Sequence, residues 1–226
     1  MSNHLTLQVK SFAMEQDAKL VGIADANLFD HAPKGHKPTD ILQDAKAVIV
    51  IAIPQPKAII SDALTTEYTR CIFTTEIKLE LAAFNIANFL DEKGYKAIPI
   101  PVRMDLMMDK ENLMGDLSHK HAAVLAGLGQ IGKNSLLITP EYGNRVYLSS
   151  IVTNAPLIPD KPFDKELCSE NCFKCVKACP IQAISKNGKV NKAKCYAYCK
   201  TERDKYPLTQ GVYSCRICRQ VCPFSK

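Results

Sequence analysis

Apolar positions recur at helical spacing from Leu5 towards Lys19 and then give way to the extended run Leu20-Val-Gly-Ile-Ala-Asp25. That change of period predicts an amphipathic opening helix followed by a short strand. Ala47 to Ile53 is continuously apolar and mostly β-branched, and Pro54 and Pro56 close it. A run of that length between breakers predicts a buried strand. Glu67 to Lys93 carries Ile72, Ile77, Leu79, Leu81, Phe84, Ile86, Phe89 and Leu90 and ends at Gly94, which predicts a long helix, continuous or broken early. Ala97 to Val102 is extended, and its prolines confine it to an edge or a strand end. Ser118 to Leu128 is alanine-rich and helical, whereas Leu136 to Thr139 and Arg145 to Thr153 are strands. His31 to Thr39 is a loop, and Ala155 to Phe163 is a proline-containing linker. Helices and strands alternate, so the class is α/β or α+β.

Composition then divides the chain. Of its 226 residues, 1–160 hold one cysteine, Cys71, and 161–226 hold the other nine. Two domains are expected, 1–160 as an α/β cofactor- or substrate-binding domain and 161–226 as a small cysteine-rich one. The first carries three net negative charges and the second nine net positive ones. No apolar run approaches the roughly 20 residues a membrane helix needs. The N-terminus has no secretory pattern, so a soluble cytoplasmic protein with reduced thiols is expected.

The cysteine spacing carries the chemistry. One run reads Cys168-x3-Cys172-x2-Cys175-x3-Cys179-Pro180, the last reads Cys215-x2-Cys218-x3-Cys222-Pro223, and Cys195 and Cys199 lie between them. In two-cluster ferredoxins the cysteine before the proline ligates the other cluster. One [4Fe–4S] cluster then takes Cys168, Cys172, Cys175 and Cys222, and the second takes Cys179, Cys195, Cys215 and Cys218. Cys199 is spare or exchanges with Cys195. Zinc has no use for a repeated Cys-Pro ending, and disulfides require an oxidising compartment. A cubane with four thiolates carries a formal charge of about −2, so part of the basic excess offsets the clusters. The rest is a solvated face or a dock for an acidic electron donor, with Lys174, Lys177 and Arg219 as its candidates. A nucleic-acid role is disfavoured because no aromatic stacking pattern accompanies the lysines.

Gly127-Leu-Gly129-Gln-Ile-Gly132-Lys133-Asn134 satisfies G-x-G-x-x-G and nearly satisfies the P-loop pattern. Both nucleotide motifs need a strand before the glycines and a helix after them. Here the order is reversed, which leaves a glycine helix cap or a backbone loop close to a flat ligand, with Lys133 facing an anionic group of that ligand. His119 and His121, two apart on a helix, do not share a face. One of them is a candidate ligand contact or proton donor, against a helix-start or surface role. Met104, Met107, Met108 and Met114 are gap fillers or the lining of a pocket for a large planar cofactor. Cys71 reads as a buried small hydrophobe.

His121-Ala-Ala-Val-Leu-Ala-Gly-Leu-Gly-Gln-Ile-Gly-Lys-Asn-Ser-Leu-Leu-Ile138, followed by the two cysteine runs, resembles epoxyqueuosine reductase, a tRNA-modifying family. Tyr68-Thr-Arg70 is similar to the family's Tyr-x-Arg segment, so the likeness runs from about Tyr68 to Phe224. The resemblance implies a nitroreductase-like, corrinoid-binding α+β domain with an appended two-cluster ferredoxin-like domain. It implies cobalamin held near Tyr68, Arg70, His121, Gly127, Gly129, Gly132, Lys133 and Asn134, and electrons supplied by a flavodoxin- or ferredoxin-type donor. Two departures stand out. The family's helical repeat domain does not follow Cys222 in this sequence, as in short epoxyqueuosine reductase-like proteins. The acid of an Asp-Ser-Ala-Pro-like segment is also absent, which leaves Asp105, Asp109 and Asp116 as stand-ins and His119 as a second proton donor. These departures argue against a tRNA substrate. The leading expectation is an oxidoreductase that reduces an unidentified substrate at a corrinoid. The alternatives are an electron carrier or activator that docks on a partner, and a flavin (FMN) reductase.

Overall fold

A computed structural model describes residues 2–102, 113–204 and 215–225. The helices are α1 (Ser2–Glu15), α2 (Pro38–Ile41), α3 (Lys57–Ser61), α4 (Thr65–Asp91), α5 (His119–Leu125), α6 (Lys174–Ala178), α7 (Lys192–Asp204) and α8 (Ile217–Gln220). The strands are β1 (Leu20–Asp25), β2 (Ala47–Pro54), β3 (Ala97–Ile100), β4 (Gln130–Ile131), β5 (Leu137–Ile138) and β6 (Val146–Thr153). Two compact units emerge. One comprises residues 1–53, 76–129 and 147–164, and the other comprises 54–75, 130–146 and 165–226.

The first unit is built on a four-stranded sheet of order β1-β2-β6-β3. β1 pairs antiparallel with β2, placing Ile23 opposite Ile49, and β3 pairs antiparallel with β6. The Lys46 amide donates to the Thr153 carbonyl at 2.9 Å where β2 begins and β6 ends. β3 lies at the edge, as its prolines require. All of Ala47–Ile53 is buried, because both sheet faces are covered. Successive side chains point to opposite faces. Ala47, Ile49, Ile51 and Ile53 pack with Leu5, Val9 and Ala13 of α1 and with Leu79, Ala83, Ile86 and Leu90 of α4. On the opposite face β1 meets α5.

The periodicity of α4 predicts its existence better than its faces. Ile77, Leu81 and Phe84, read with the apolar set, are 52 %, 57 % and 56 % exposed. Phe89 stacks on Phe12 of α1, with ring centroids 4.7 Å apart. The segment 155–163 is irregular but is tied down. Ala155 and Leu157 enter the core, and Asp160 takes Lys10 Nζ at 2.6 and 2.7 Å and the Ile23 amide at 2.9 Å. Helices α2 and α3 escape the sequence reading because four or five residues are too few to show a period.

β1 packs at Gly22 against the residues that end α5. A Cβ there would lie 2.3 Å from the Ala126 carbonyl oxygen and 2.9 Å from Leu128 Cδ2. Gly22→Ala is expected to lower stability by about 1–3 kcal/mol, the cost of overpacking a close-packed contact. The measurement is the shift in urea midpoint by circular dichroism.

Candidate functional site

In the second unit a chain with few large apolar residues organises its cysteines by backbone bonding. Cys175 lies on α6, Cys195 and Cys199 on α7, and Cys218 on α8, while Cys222 leads into a short 3-10 turn at Pro223–Ser225. After Pro180, Ala183 and Ile184 are buried, and the Ala183 amide donates to Cys179 Sγ at 3.2 Å. Burial pushes the Cys175 thiol up, and the charges of Cys168, Cys222 and Cys172 push it further. Burial likewise raises Cys222, and Cys168 and Cys172 add to this, while its hydrogen bonds to the Phe224 backbone and the Asn144 side chain act the other way. These four sulfurs, distant in sequence, therefore lie in one electrostatic neighbourhood. They could hold one cubane, whose cationic core would relieve their repulsion.

A second group forms around Cys195, Cys199, Cys215 and Cys218. Burial lifts the Cys218 thiol to about 12, with Cys215 adding to the rise and the Arg219 guanidinium opposing it. The Cys199 thiol donates to Cys195 and Cys215, which raises Cys199 and brings Cys195 down to about 7. Cys195 and Cys199 are four apart on one helix, so they share a face. Both are thus gathered at the second group. Arg219, a docking candidate by sequence, is 7 % exposed, and its Nη1 donates to the Asn144 carbonyl at 2.7 Å. It belongs to the interior of the cluster unit. Lys174 and Lys177 are exposed on α6.

The glycine segment resolves into a cap and a hairpin. Helix α5 ends at Gly127, at φ +77°. The Gly127 amide donates to Val124 O at 3.1 Å and the Leu128 amide to Ala123 O at 2.9 Å. This is a Schellman cap, one of the two structures the glycines allow. Gly129 is buried. β4 then pairs with β5, Gln130 opposite Ile138. A Cβ on Gly132 would lie 2.7 Å from Ile138 Cδ1, so an aspartate at this position would disturb the hairpin as well as any ligand. Asn134 Nδ2 donates to the Cys218 carbonyl at 3.1 Å. Lys133 Nζ donates to the carbonyls of Ser169 at 2.8 Å and Glu170 at 3.1 Å. A cleft of about 430 Å³ opens between Gln130–Lys133, Cys168, Glu170 and Lys186–Gly188.

Residues 168–225 match the model of a 4Fe-4S double cluster binding domain. Over 193 residues the chain is 33% identical to an epoxyqueuosine reductase of Lactococcus garvieae, covering 82% of this chain and 53% of that one. An epoxyqueuosine reductase of Listeria monocytogenes is 43% identical over 131 residues, which is 55% of this chain and 33% of its own. The chain is thus similar to epoxyqueuosine reductases and carries a double-cluster domain. It spans about half the length, or less, of the curated relatives it matches. The fold also matches an epoxyqueuosine reductase solved with a modified tRNA-Tyr stem loop, with a TM-score of 0.67, 24% identity, and coverage of 98% and 65% of the two chains. A reductive dehalogenase whose structure suggested a mechanism for B12-dependent dehalogenation matches at a TM-score of 0.71, with 20% identity and coverage of 100% and 32%.

The chain distributes its other candidates unevenly. Tyr68 is 3 % exposed, with the Arg216 guanidinium 4.6 Å above its ring, whereas Arg70 is exposed. Asp116 is exposed ahead of α5, and Asp105, Asp109, Met104, Met107 and Met108 lie outside the described residues. His119 Nε2 lies 3.1 Å from the Pro101 carbonyl and Nδ1 2.8 Å from Ser150 Oγ. A carbonyl only accepts, so Nε2 carries the proton and Nδ1 accepts from the serine. His121 Nδ1 pairs with Ser118 Oγ at 2.7 Å, so the two histidines have different partners. No described helix is long and apolar enough to cross a membrane. Sequence reasoning missed Gln130, Asn144 and Arg216. Gln130 was visible only as a variable position of the glycine motif.

Cys195→Ser is expected to cut the iron content of reconstituted protein from about eight atoms towards four, the complement of a single cubane. Cys199→Ser should keep all the iron, and colorimetric iron assay separates the two. Burial holds His119 below the ordinary imidazole value, and its bond to Pro101 offsets part of that. A lowered folded pKa gives a stability contribution that is present above the unfolded value near 6.5 and lost as pH falls through the folded one. The melting temperature should therefore drop as pH falls below about 6.5, and His119→Gln should flatten that drop in anaerobic melts.

Proposed function

We propose that this chain is an oxidoreductase that passes single electrons through two [4Fe–4S] clusters to a corrinoid, for the reduction of a small-molecule substrate. The observation that carries the reading is the coupling, in one chain, of a double-cluster domain to a fold shared with epoxyqueuosine reductases and with a B12-dependent dehalogenase. The cysteine groups described above would hold the clusters, the second through Cys179 and Cys195 together with Cys215 and Cys218. The cleft beside Cys168 offers polar groups of Gln130, Lys133, Lys186 and Asn187 to one edge of a ligand. A corrinoid would supply a metal centre that takes up electrons one at a time at low potential and delivers them to the substrate.

The chain's own contribution is to bind, to exclude water and to hold protons. Ala183 and Ile184 shield Cys179, and the Ala183 amide stabilises negative charge on its sulfur. His119 in its neutral form is a proton store already connected to Ser150 and Pro101, and the exposed Asp116 is the alternative donor. The donor of electrons is a low-potential acidic protein of flavodoxin or ferredoxin type, drawn to Lys174 and Lys177 on α6.

Titration of anaerobically reconstituted protein with cobalamin tests the reading by absorbance and by EPR after partial reduction. Saturable binding with a perturbed cobalt signal is the expected outcome. Two intact clusters with no cobalamin binding would overturn it in favour of an electron carrier or a flavin-dependent reductase.

A further inference from the structure

Two side chains of the β4 hairpin reach into the loop that bears the first cysteine. Gln130 Oε1 accepts the amides of both Leu167, at 2.7 Å, and Cys168, at 2.8 Å. Three residues later Lys133 Nζ donates to the carbonyls of Ser169 and Glu170 and lies 5.4 Å from the centroid of the Phe173 ring. Four consecutive residues, 167 to 170, are therefore each fixed by one backbone group, and the two bonds of each side chain fall on adjacent residues. The hairpin itself is rigid: the Gly132 amide donates to Leu136 O at 2.9 Å, and Asn134 Oδ1 accepts the Leu136 amide at 3.3 Å. Gly188 lies against the backbone and stem of Lys133.

We propose that Gln130 and Lys133 are positioning residues of the first cluster: they clamp the Cys168 arm and place a fixed positive charge in its ligand loop. The proposal goes beyond the reading above and needs no corrinoid, since it concerns only the cluster domain. Its physical consequences are distinct for the two side chains. Gln130 contributes geometry, because the Cys168 amide is committed to it and the sulfur's approach is set by that bond. Lys133 contributes charge as well. A one-electron reduction makes a cluster more negative without forming or breaking a bond, so a nearby ammonium favours the reduced form.

The test is a redox titration of the reconstituted full chain, followed by EPR. Cys222→Ser identifies the first cluster's signal as the one it removes. Lys133→Met should shift the redox equilibrium of that cluster about tenfold towards the oxidised form, or roughly 59 mV more negative for one electron. The second cluster should stay in place, and Lys133→Arg should restore the first. Gln130→Glu keeps the acceptor but adds negative charge, so it should retain the iron and lower the same potential. Gln130→Leu should lose iron from the first cluster alone. Unmoved potentials in Lys133→Met, or equal shifts in both clusters, would overturn the proposal. Should Lys133→Met fail to assemble, Gln130→Glu decides, and an unchanged first-cluster potential there overturns it equally.

Discussion

Gathering thiolates against their mutual repulsion is the constraint on which the cysteine-bearing unit depends. Burial raises the proton affinity of Cys175 and Cys222, and the neighbouring Cys168 and Cys172 raise it further. A polypeptide can hold such a set only if its backbone is fixed by something other than the sulfurs. Here that fixing is polar. Asn134 bonds the Cys218 carbonyl, and Asn144 bonds the Arg219 carbonyl while Arg219 bonds Asn144 in return. Arg216 and Gln220 donate to the carbonyls of Ala63 and Ile60. Asn134 and Asn144 thus satisfy backbone groups at and beside Cys218, and Arg216 and Gln220, two residues either side of it, anchor the same stretch to Ala63 and Ile60.

The other unit solves a different problem. An antiparallel sheet commonly exposes one face and alternates in its sequence. β2 does not alternate, because α1 and α4 cover one face and α5 meets the other. That burial on both sides makes Ala47–Ile53 readable as a strand without any alignment. It also explains why Gly22 must be small, since the backbone of Ala126 occupies the space its side chain would fill.

What the sequence revealed followed from local rules, and what it concealed followed from long-range ones. β2, α4 and the Schellman cap at Gly127 are encoded by runs, periods and a glycine within a few residues. The cysteine spacing is equally local within each run. Gln130 bonds residues 37 and 38 positions away, and such a pairing leaves no periodic trace. Charge misled in the same way. Arg219 reads as one more base in a basic tail, yet it is buried beside Cys218, where its guanidinium opposes the rise in that thiol's proton affinity. The exposed stripe of Ile77, Leu81 and Phe84 shows that an apolar period announces a helix but does not say which apolar residues find partners.

The division of the chain into units follows from the same physics. Residues 165–226 are rich in cysteine and lysine and poor in large aliphatic side chains, too poor to bury a core unaided. Two upstream segments, 54–75 and 130–146, belong to their compact unit. The first brings Gln55, which is buried, donates its side-chain amide to Thr75 and its backbone amide to the Arg145 carbonyl, and accepts the Arg145 guanidinium at its own carbonyl, and Tyr68, which lies under Arg216. The second brings the β4–β5 hairpin. The cluster-bearing part is therefore assembled from three stretches of chain, and its polar braces come largely from the two that contain no ligand. A cysteine pattern names the ligands, but the residues that make those ligands usable lie elsewhere in the sequence. The glycine motif is where that support begins.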